Sequence, residues 1–247
     1  MYQPQILAFL ERHRYHRVTP HAALIDMDGT LYDSMPNHAA AWHRLVTELG
    51  LPSSPENYFL WEGRTGKSII NELFETHLGR QATDDEAERY YHRKTEYFRQ
   101  LPEVDPMPGA ADMLDTLIRT GIKRVLVTGS GQSSLISRLD ADFPGAFADD
   151  LRVTARNVAH GKPHPEPFIK AMQMARVTPS QAIAIDNAPL GVESGARAGA
   201  FTVGVVTGPI PAETMMEAGA ALVFPSMEDF ARNLPVLLID LLNTTLS

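Results

Sequence analysis

Short apolar runs recur along the chain, and each one ends in a turn-forming or polar residue. Runs of this length are typical of strands that are buried on both faces of a parallel sheet. The runs are Ala22–Ile25, Val125–Thr128, Leu151–Thr154, Ala182–Ile185, Thr202–Val206 and Ala221–Phe224. Helical patterns lie between them, and one ends near Gly121, where glycine favours a left-handed C-cap. This alternation predicts an α/β fold with a doubly wound, Rossmann-like parallel sheet.

The interval between the first two runs has helical rather than strand periodicity. Amphipathic patterns cover Trp42–Leu49, Ile69–Phe74 and Tyr90–Phe98. Consecutive prolines near residues 102–108 predict a hinge where this interval ends. We therefore predict an N-terminal helical extension over residues 1–20, a catalytic core over 21–34 and 106–247, and an inserted helical cap domain over 35–105.

Composition narrows the class of protein. The chain has 247 residues, 44% of them hydrophobic, which suits one core domain with a sizeable insertion. Its formal net charge of −8 argues against a surface for nucleic acid or anionic membrane. The sequence has no cysteine, which excludes disulfides and cysteine nucleophiles, and its N-terminus has no apolar run. We expect a cytoplasmic monomer with no nucleic-acid and no membrane partner.

Candidate chemistry begins where the first run ends, because ligands in open α/β sheets bind at the carboxyl ends of the strands. The sequence there is Asp26-Met27-Asp28-Gly29-Thr30. The two aspartates can direct one carboxylate and one backbone carbonyl towards a common cation, and Gly29 permits the turn. Aspartate and glycine are also ordinary turn formers, so this motif alone does not establish a site.

Later strand ends carry groups that a simple turn does not require. Thr128-Gly129-Ser130 offers a hydroxyl and backbone N–H groups to phosphate oxygens. Lys162 offers a cation, and Asp186-Asn187 offers oxygen ligands for a metal ion. Phosphoryl transfer needs mainly charge stabilisation and positioning, so this combination predicts phosphoryl-transfer chemistry.

These motifs resemble those of the haloacid dehalogenase superfamily, in its phosphatase and mutase branch with a helical cap. The resemblance covers about residues 21–230. It implies that Asp26 is the nucleophile that becomes an aspartyl-phosphate and that Asp28 is the general acid and base. Thr128 and Lys162 would hold the transferring phosphoryl group. The implied cofactor is Mg²⁺, with Asp26, Asp28, Asp186 and Asn187 as its ligands.

The cap is similar to that of the β-phosphoglucomutases, whose cap histidine and lysine match His38 and Lys94. Two positions differ from that subgroup. A Glu-Asp pair of the mutases is replaced by Asp186-Asn187, so a neutral amide stands where a metal-binding carboxylate is usual. The mutase arginine that binds the distal phosphate of the sugar is replaced by Gly66.

Both differences fit a small substrate. If Glu62 descended from the closed cap, it could replace the missing carboxylate on the magnesium. Relatives with the same Glu-Gly-Arg-Thr-Gly sequence in the cap, here residues 62–66, and the same Asn-Ala-Pro-Leu-Gly sequence in the fourth motif, here Asn187 to Gly191, include inorganic pyrophosphatases. The resemblance therefore favours pyrophosphate among small phosphorylated molecules. The substrate-binding residues implied or expected are His38, Glu62, Arg64, Lys67, Lys94, Gly129 and Ser130. A β-phosphoglucomutase-type hexose phosphate isomerase and a sugar phosphate phosphatase are the alternatives.

Overall fold

The structure, a computed structural model, describes residues 1–130 and 133–246, with the backbone alone at 133 and 134. The strands within these residues are β1 Ala22–Ile25, β2 Lys123–Val127, β3 Arg152–Val153, β4 Ala182–Asp186, β5 Phe201–Val205 and β6 Leu222–Phe224. They form a parallel sheet in the order β3-β2-β1-β4-β5-β6. Each predicted strand is confirmed, and the ends differ by two residues or fewer.

Helices cover the sheet and build the insertion. The helices are α1 Gln3–His13, α2 Met35–Glu48, α3 Asn57–Leu60, α4 Gly66–Leu78, α5 Asp84–Arg99, α6 Ala110–Arg119, α7 Ser133–Ile136, α8 Leu139–Asp142, α9 Glu166–Ala175, α10 Pro189–Arg197, α11 Ala212–Glu217 and α12 Met227–Asn243. Side chains of β1 alternate between two apolar clusters. Ala23 and Ile25 share a cluster with α6 and α12, whereas Leu24 packs with Phe168 of α9. The doubly wound α/β fold is therefore confirmed.

The helices α2 to α5 form a cap inserted between β1 and β2, as the periodicity predicts. The side chain of Thr65 accepts a hydrogen bond from the Ser68 amide and so caps α4, while Thr83 and Glu86 form a capping box at α5. Apolar side chains of the cap, among them Trp42, Leu45, Leu73, Phe74 and Phe98, are buried and belong to the same apolar cluster as one face of the sheet.

The N-terminal segment packs closely against the core. Ile6 and Leu10 of α1 are buried, and the ring of Tyr2 contacts that of Phe224 with centroids 5.8 Å apart. The N-terminal amino group forms an ion pair with Asp240. None of the helices in the described part of the chain has both the length and the apolar character to span a bilayer.

Candidate active site

The turn after β1 presents both aspartates of the first motif at the carboxyl edge of the sheet. The Asp26 amide donates to the Ile185 carbonyl of β4, which continues the sheet ladder by one residue. The amides of Leu31 and Tyr32 then donate to the Met27 carbonyl and close the turn. Asp26 and Asp28 are both buried, so their carboxylates face the interior between core and cap.

Lys162 joins two of the buried carboxylates. Its ammonium group contacts Oδ1 of Asp26 and lies 2.7 Å from Oδ2 of Asp186. Burial opposes the charge on Lys162, but Asp186 and Asp26 outweigh this effect and raise its pKa above the usual value. The lysine is therefore a fixed cation beside the candidate nucleophile.

The turn after β4 is built around Asp186. Its Oδ1 accepts the backbone N–H of Ala188 at 3.1 Å. A Cβ atom at Gly191 would lie 2.1 Å from this carboxylate, so only glycine leaves room for Asp186 there. The glycine of the fourth motif thus positions the carboxylate that binds Lys162.

Glu62 is delivered into the site by the loop between α3 and α4. Its side chain is buried, and its Oε2 accepts a 3.0 Å hydrogen bond from the amide nitrogen of Asn187. A Cβ atom on Gly29 would lie 2.9 Å from Oε1 of Glu62. The same Cβ atom would lie only 2.0 Å from Nδ2 of Asn187, so glycine at position 29 is explained by its φ of +83° and by the space that Asn187 and Glu62 occupy together.

Asn187 connects the cap to the first motif. Its amide oxygen accepts a hydrogen bond from the Thr30 hydroxyl at 3.1 Å, while its nitrogen donates to Glu62. An amide oxygen has a second lone pair, so this contact leaves capacity for a cation. The proposed metal role of Asn187 stays a prediction.

Negative charge is in excess at this site. Four carboxylates are buried here, those of Asp26, Asp28, Asp186 and Glu62, and Lys162 pairs with two of them, Asp26 and Asp186. Within the described residues, Oδ2 of Asp26 and Oε1 of Glu62 are buried without a hydrogen-bond partner. Burial and neighbouring carboxylates raise the pKa values of Asp26 and Glu62 well above their usual range, although Lys162 acts in the opposite direction on Asp26. Unpartnered oxygens with surplus negative charge fit the oxygen ligands that Mg²⁺ prefers.

A separate buried chain of polar groups holds Asp28. Its Oδ1 accepts hydrogen bonds from Ser34 at 2.8 Å and from Nε2 of His38 at 2.9 Å. The Lys94 ammonium lies 2.6 Å from Nδ1 of the same imidazole. An ionised carboxylate only accepts, so with Asp28 ionised the Nε2 atom carries a proton, and Nδ1 of a neutral imidazole accepts from Lys94.

Burial and the charges of neighbouring groups set the pKa values of Asp28, His38 and Lys94. Burial opposes ionisation of Asp28, but His38, Ser34 and Lys94 together hold its pKa below the usual value. Burial lowers the pKa of Lys94 to about 7, and burial together with Lys94 lowers the pKa of His38. These shifts favour the ionised form of Asp28 and the neutral form of His38.

The turn after β2 faces the same cavity. Thr128 is buried, with its hydroxyl 3.5 Å from Oδ2 of Asp28, and the Ser130 amide donates to this hydroxyl at 2.9 Å. Gly129 and Ser130 line the cavity beside it. The structure thus brings together the strand-end residues that the sequence selects, and their catalytic roles stay predictions.

The cavity between core and cap is small, with a volume of about 50 Å³. Aromatic rings line its cap side, those of Trp42, Tyr58, Trp61 and Tyr91. A Cβ atom at Gly66 would lie 2.0 Å from the ring of Tyr91, so the ring occupies the space that a side chain at 66 would need. Sequence reasoning missed Tyr91, and the glycine at 66 was the signal that could have indicated a partner.

The two other cap residues expected to face substrate differ in placement. Arg64 lines the cavity, but its Nε donates to the Ser68 hydroxyl at 2.9 Å. Lys67 points away and forms a 2.6 Å ion pair with Asp84, where both side chains are exposed. The structure therefore does not bring Lys67 to the central cavity.

The fold and the buried carboxylates define an enzyme class that works on phosphates between a Rossmann-like core and a helical cap. The family model of the haloacid dehalogenase-like hydrolases matches residues 20–199. Hexitol phosphatase A of Escherichia coli (strain K12) is 31% identical over 207 residues, covering 83% of this chain and 90% of that protein. Beta-phosphoglucomutase of Bacillus subtilis (strain 168) is 29% identical over 200 residues, covering 76% and 84%.

Comparison with a solved structure supports the same family. A candidate beta-phosphoglucomutase from Bacteroides vulgatus has a TM-score of 0.94 and 41% identity, covering 97% of this chain and 98% of that one. The chain belongs to the haloacid dehalogenase-like hydrolase family, and its resemblance to the β-phosphoglucomutase-like subgroup is confirmed.

Proposed function

We propose that the chain is a magnesium-dependent phosphohydrolase that cleaves inorganic pyrophosphate through an aspartyl-phosphate at Asp26. The contact between Glu62 and Asn187 carries this proposal, because it brings a buried cap carboxylate down to the fourth motif and so holds the cap close to the core. The remaining cavity of about 50 Å³ is far below the roughly 300–1,000 Å³ of pockets for larger organic ligands. Tyr91, whose ring lies against Gly66, is one of the side chains that limit this volume.

In the first half of the reaction, a carboxylate oxygen of Asp26 attacks phosphorus. The new bond is Asp26 oxygen to phosphorus, and the bond to the bridging oxygen of pyrophosphate breaks. The departing phosphate is a much weaker base than a sugar alkoxide, so it needs less help from an acid. The small need for an acid agrees with the lowered pKa of Asp28, which favours its ionised form. When Asp28 is protonated, it can donate its proton to the leaving phosphate.

In the second half, water attacks phosphorus and the bond to Asp26 breaks. Asp28 takes the proton of the attacking water, because its carboxylate is ionised and held in place by Ser34 and His38. Lys162 and Thr128 hold the phosphoryl oxygens in both halves. Magnesium held by Asp26, Asp28, Asp186, Asn187 and Glu62 would supply further positive charge to those oxygens.

A sugar phosphate phosphatase is the second candidate. It is supported by the curated relatives, since hexitol phosphatase A is named for a phosphorylated sugar alcohol. A substrate of that size requires the cap to open, and opening withdraws Glu62 from Asn187. A β-phosphoglucomutase-type isomerase would need the same withdrawal and a site for a second phosphate.

Steady-state hydrolysis with magnesium tests these functions together. The panel contains pyrophosphate, several hexose and hexitol phosphates, and β-glucose 1-phosphate, with kcat/KM measured for each. We expect the highest kcat/KM for pyrophosphate. A hexitol or hexose phosphate that is turned over more efficiently would transfer the proposal to the sugar phosphate phosphatases, and conversion of β-glucose 1-phosphate to an isomer would identify a mutase.

A further inference from the structure

Two glycines of the core are not needed for backbone conformation. Gly129 and Gly161 both have φ values outside the left-handed region, so their backbone conformations are open to any residue. Both face residues 62–65, which we call the cap loop. A Cβ atom at Gly129 would lie 2.3 Å from the carbonyl oxygen of Gly63, and one at Gly161 would lie 2.8 Å from Cγ2 of Thr65. These glycines are therefore explained by the space that the cap loop occupies.

The contact is close from the cap side as well. Gly63 has a φ of +83°, and a Cβ atom there would lie 2.8 Å from Cδ of Lys162. Glu62 immediately precedes this glycine. The position of the Glu62 backbone is thus set by the approach of the cap loop to the loops that carry Thr128 and Lys162.

We propose that Gly129 and Gly161 are positioning residues that let the cap loop settle deeply enough for Glu62 to reach Asn187. This inference rests on the proposed function, since it assigns importance to the placement of Glu62. A methyl group at either position would hold the loop away from the core. Hydrolysis of small substrates that need full closure would slow, whereas hydrolysis of substrates that already hold the cap away from the core would not.

Gly161 offers the cleaner test, because Gly129 also belongs to the phosphate-binding turn. In Gly161→Ala the new methyl group meets the Thr65 methyl group. Thr65 cannot rotate freely, because its hydroxyl caps α4 by accepting the Ser68 amide at 3.3 Å. Thr65→Ser removes the colliding methyl group and keeps the hydroxyl, so the nearest neighbour of the new methyl group becomes the Thr65 backbone nitrogen at an ordinary 3.4 Å.

We expect Gly161→Ala to lower kcat/KM for pyrophosphate by about tenfold to a hundredfold, as for a small misplacement of a catalytic group. Thr65→Ser alone should change it by less than about threefold, and adding it to Gly161→Ala should restore most of the loss. Gly208→Ala is the matched control, since a Cβ atom there meets its nearest neighbour, Cδ1 of Phe59, at an ordinary 3.5 Å. Hydrolysis of a hexose phosphate should be unaffected by all four changes.

Two results would overturn the inference. One is a loss in Gly161→Ala that Thr65→Ser does not relieve, which would mean that the change acts through the Lys162 loop. The other is a Gly161→Ala crystal structure in which Glu62 Oε2 still lies 3.0 Å from Nδ2 of Asn187. Wild-type protein that does not cleave pyrophosphate would refute the proposed function instead, and the crystal structure would then still decide whether the glycines position Glu62.

Discussion

Replacement of Glu62 separates the pyrophosphatase proposal from the sugar phosphate alternatives. Glu62→Gln keeps the size of the side chain and removes its charge, whereas Glu62→Ala removes both the charge and the contact with Asn187. If the carboxylate completes the metal site upon closure, both changes should slow pyrophosphate hydrolysis. Sugar phosphates that keep the cap apart should be hydrolysed at nearly unchanged rates.

The structure sets the size of this effect. A hydrogen bond to a charged group, such as the 3.0 Å bond from Asn187 to Glu62, contributes about 1.5–3 kcal/mol. At about 1.4 kcal/mol for each factor of ten, its loss alone corresponds to roughly 10-fold to 100-fold in kcat/KM. Loss of a carboxylate from a metal and phosphate site adds to this, so we expect roughly a hundredfold or more for Glu62→Ala.

The assay is steady-state phosphate release with pyrophosphate and with a hexose phosphate. Glu72→Ala is a suitable control, because Glu72 is a partly exposed carboxylate of α4 that pairs with Arg64 at 3.5 Å. Equal small losses with both substrates, no larger than those of Glu72→Ala, would make Glu62 a structural residue and refute the reasoning.

Asp26→Asn should lower turnover by about a thousandfold or more with little change in Tm, because the amide matches the carboxylate in shape but cannot attack phosphorus; phosphate release and thermal denaturation check this, and retained turnover would contradict it. Excess chelator should abolish activity, with magnesium restoring it and calcium doing so poorly because of its looser coordination; turnover that persists in chelator would rule out the metal. Tyr91→Ala should raise kcat/KM for hexose phosphates relative to pyrophosphate by opening the space over Gly66, and an unchanged ratio would exclude Tyr91 as a limit on substrate size.

The fold could be predicted because its signals are local. Strands buried on both faces are continuous apolar runs, and each predicted run corresponds to a strand of the sheet. The close packing of α1 was harder to foresee, since the basic residues at 12–17 suggest a solvated segment while Ile6 and Leu10 are buried. That packing depends on contacts with distant residues such as Phe224, which no local pattern reveals.

Some residues of the candidate site could also be predicted from the sequence, and others could not. Residues at strand ends must meet at one edge of a parallel sheet, so Asp26, Lys162 and Asp186 could be placed together from the sequence. Cap residues depend on how two domains meet. The sequence therefore indicated Glu62 but gave no sign that Lys67 would pair with Asp84.

Rapid-quench analysis with radiolabelled pyrophosphate tests the central claim most directly. In a single turnover we expect label to appear on the protein as an acyl phosphate at Asp26, to decay as phosphate is released, and to be absent in Asp26→Asn. Release of labelled phosphate with no protein-bound label at any time, together with turnover by Asp26→Asn, would contradict hydrolysis of pyrophosphate through an aspartyl-phosphate.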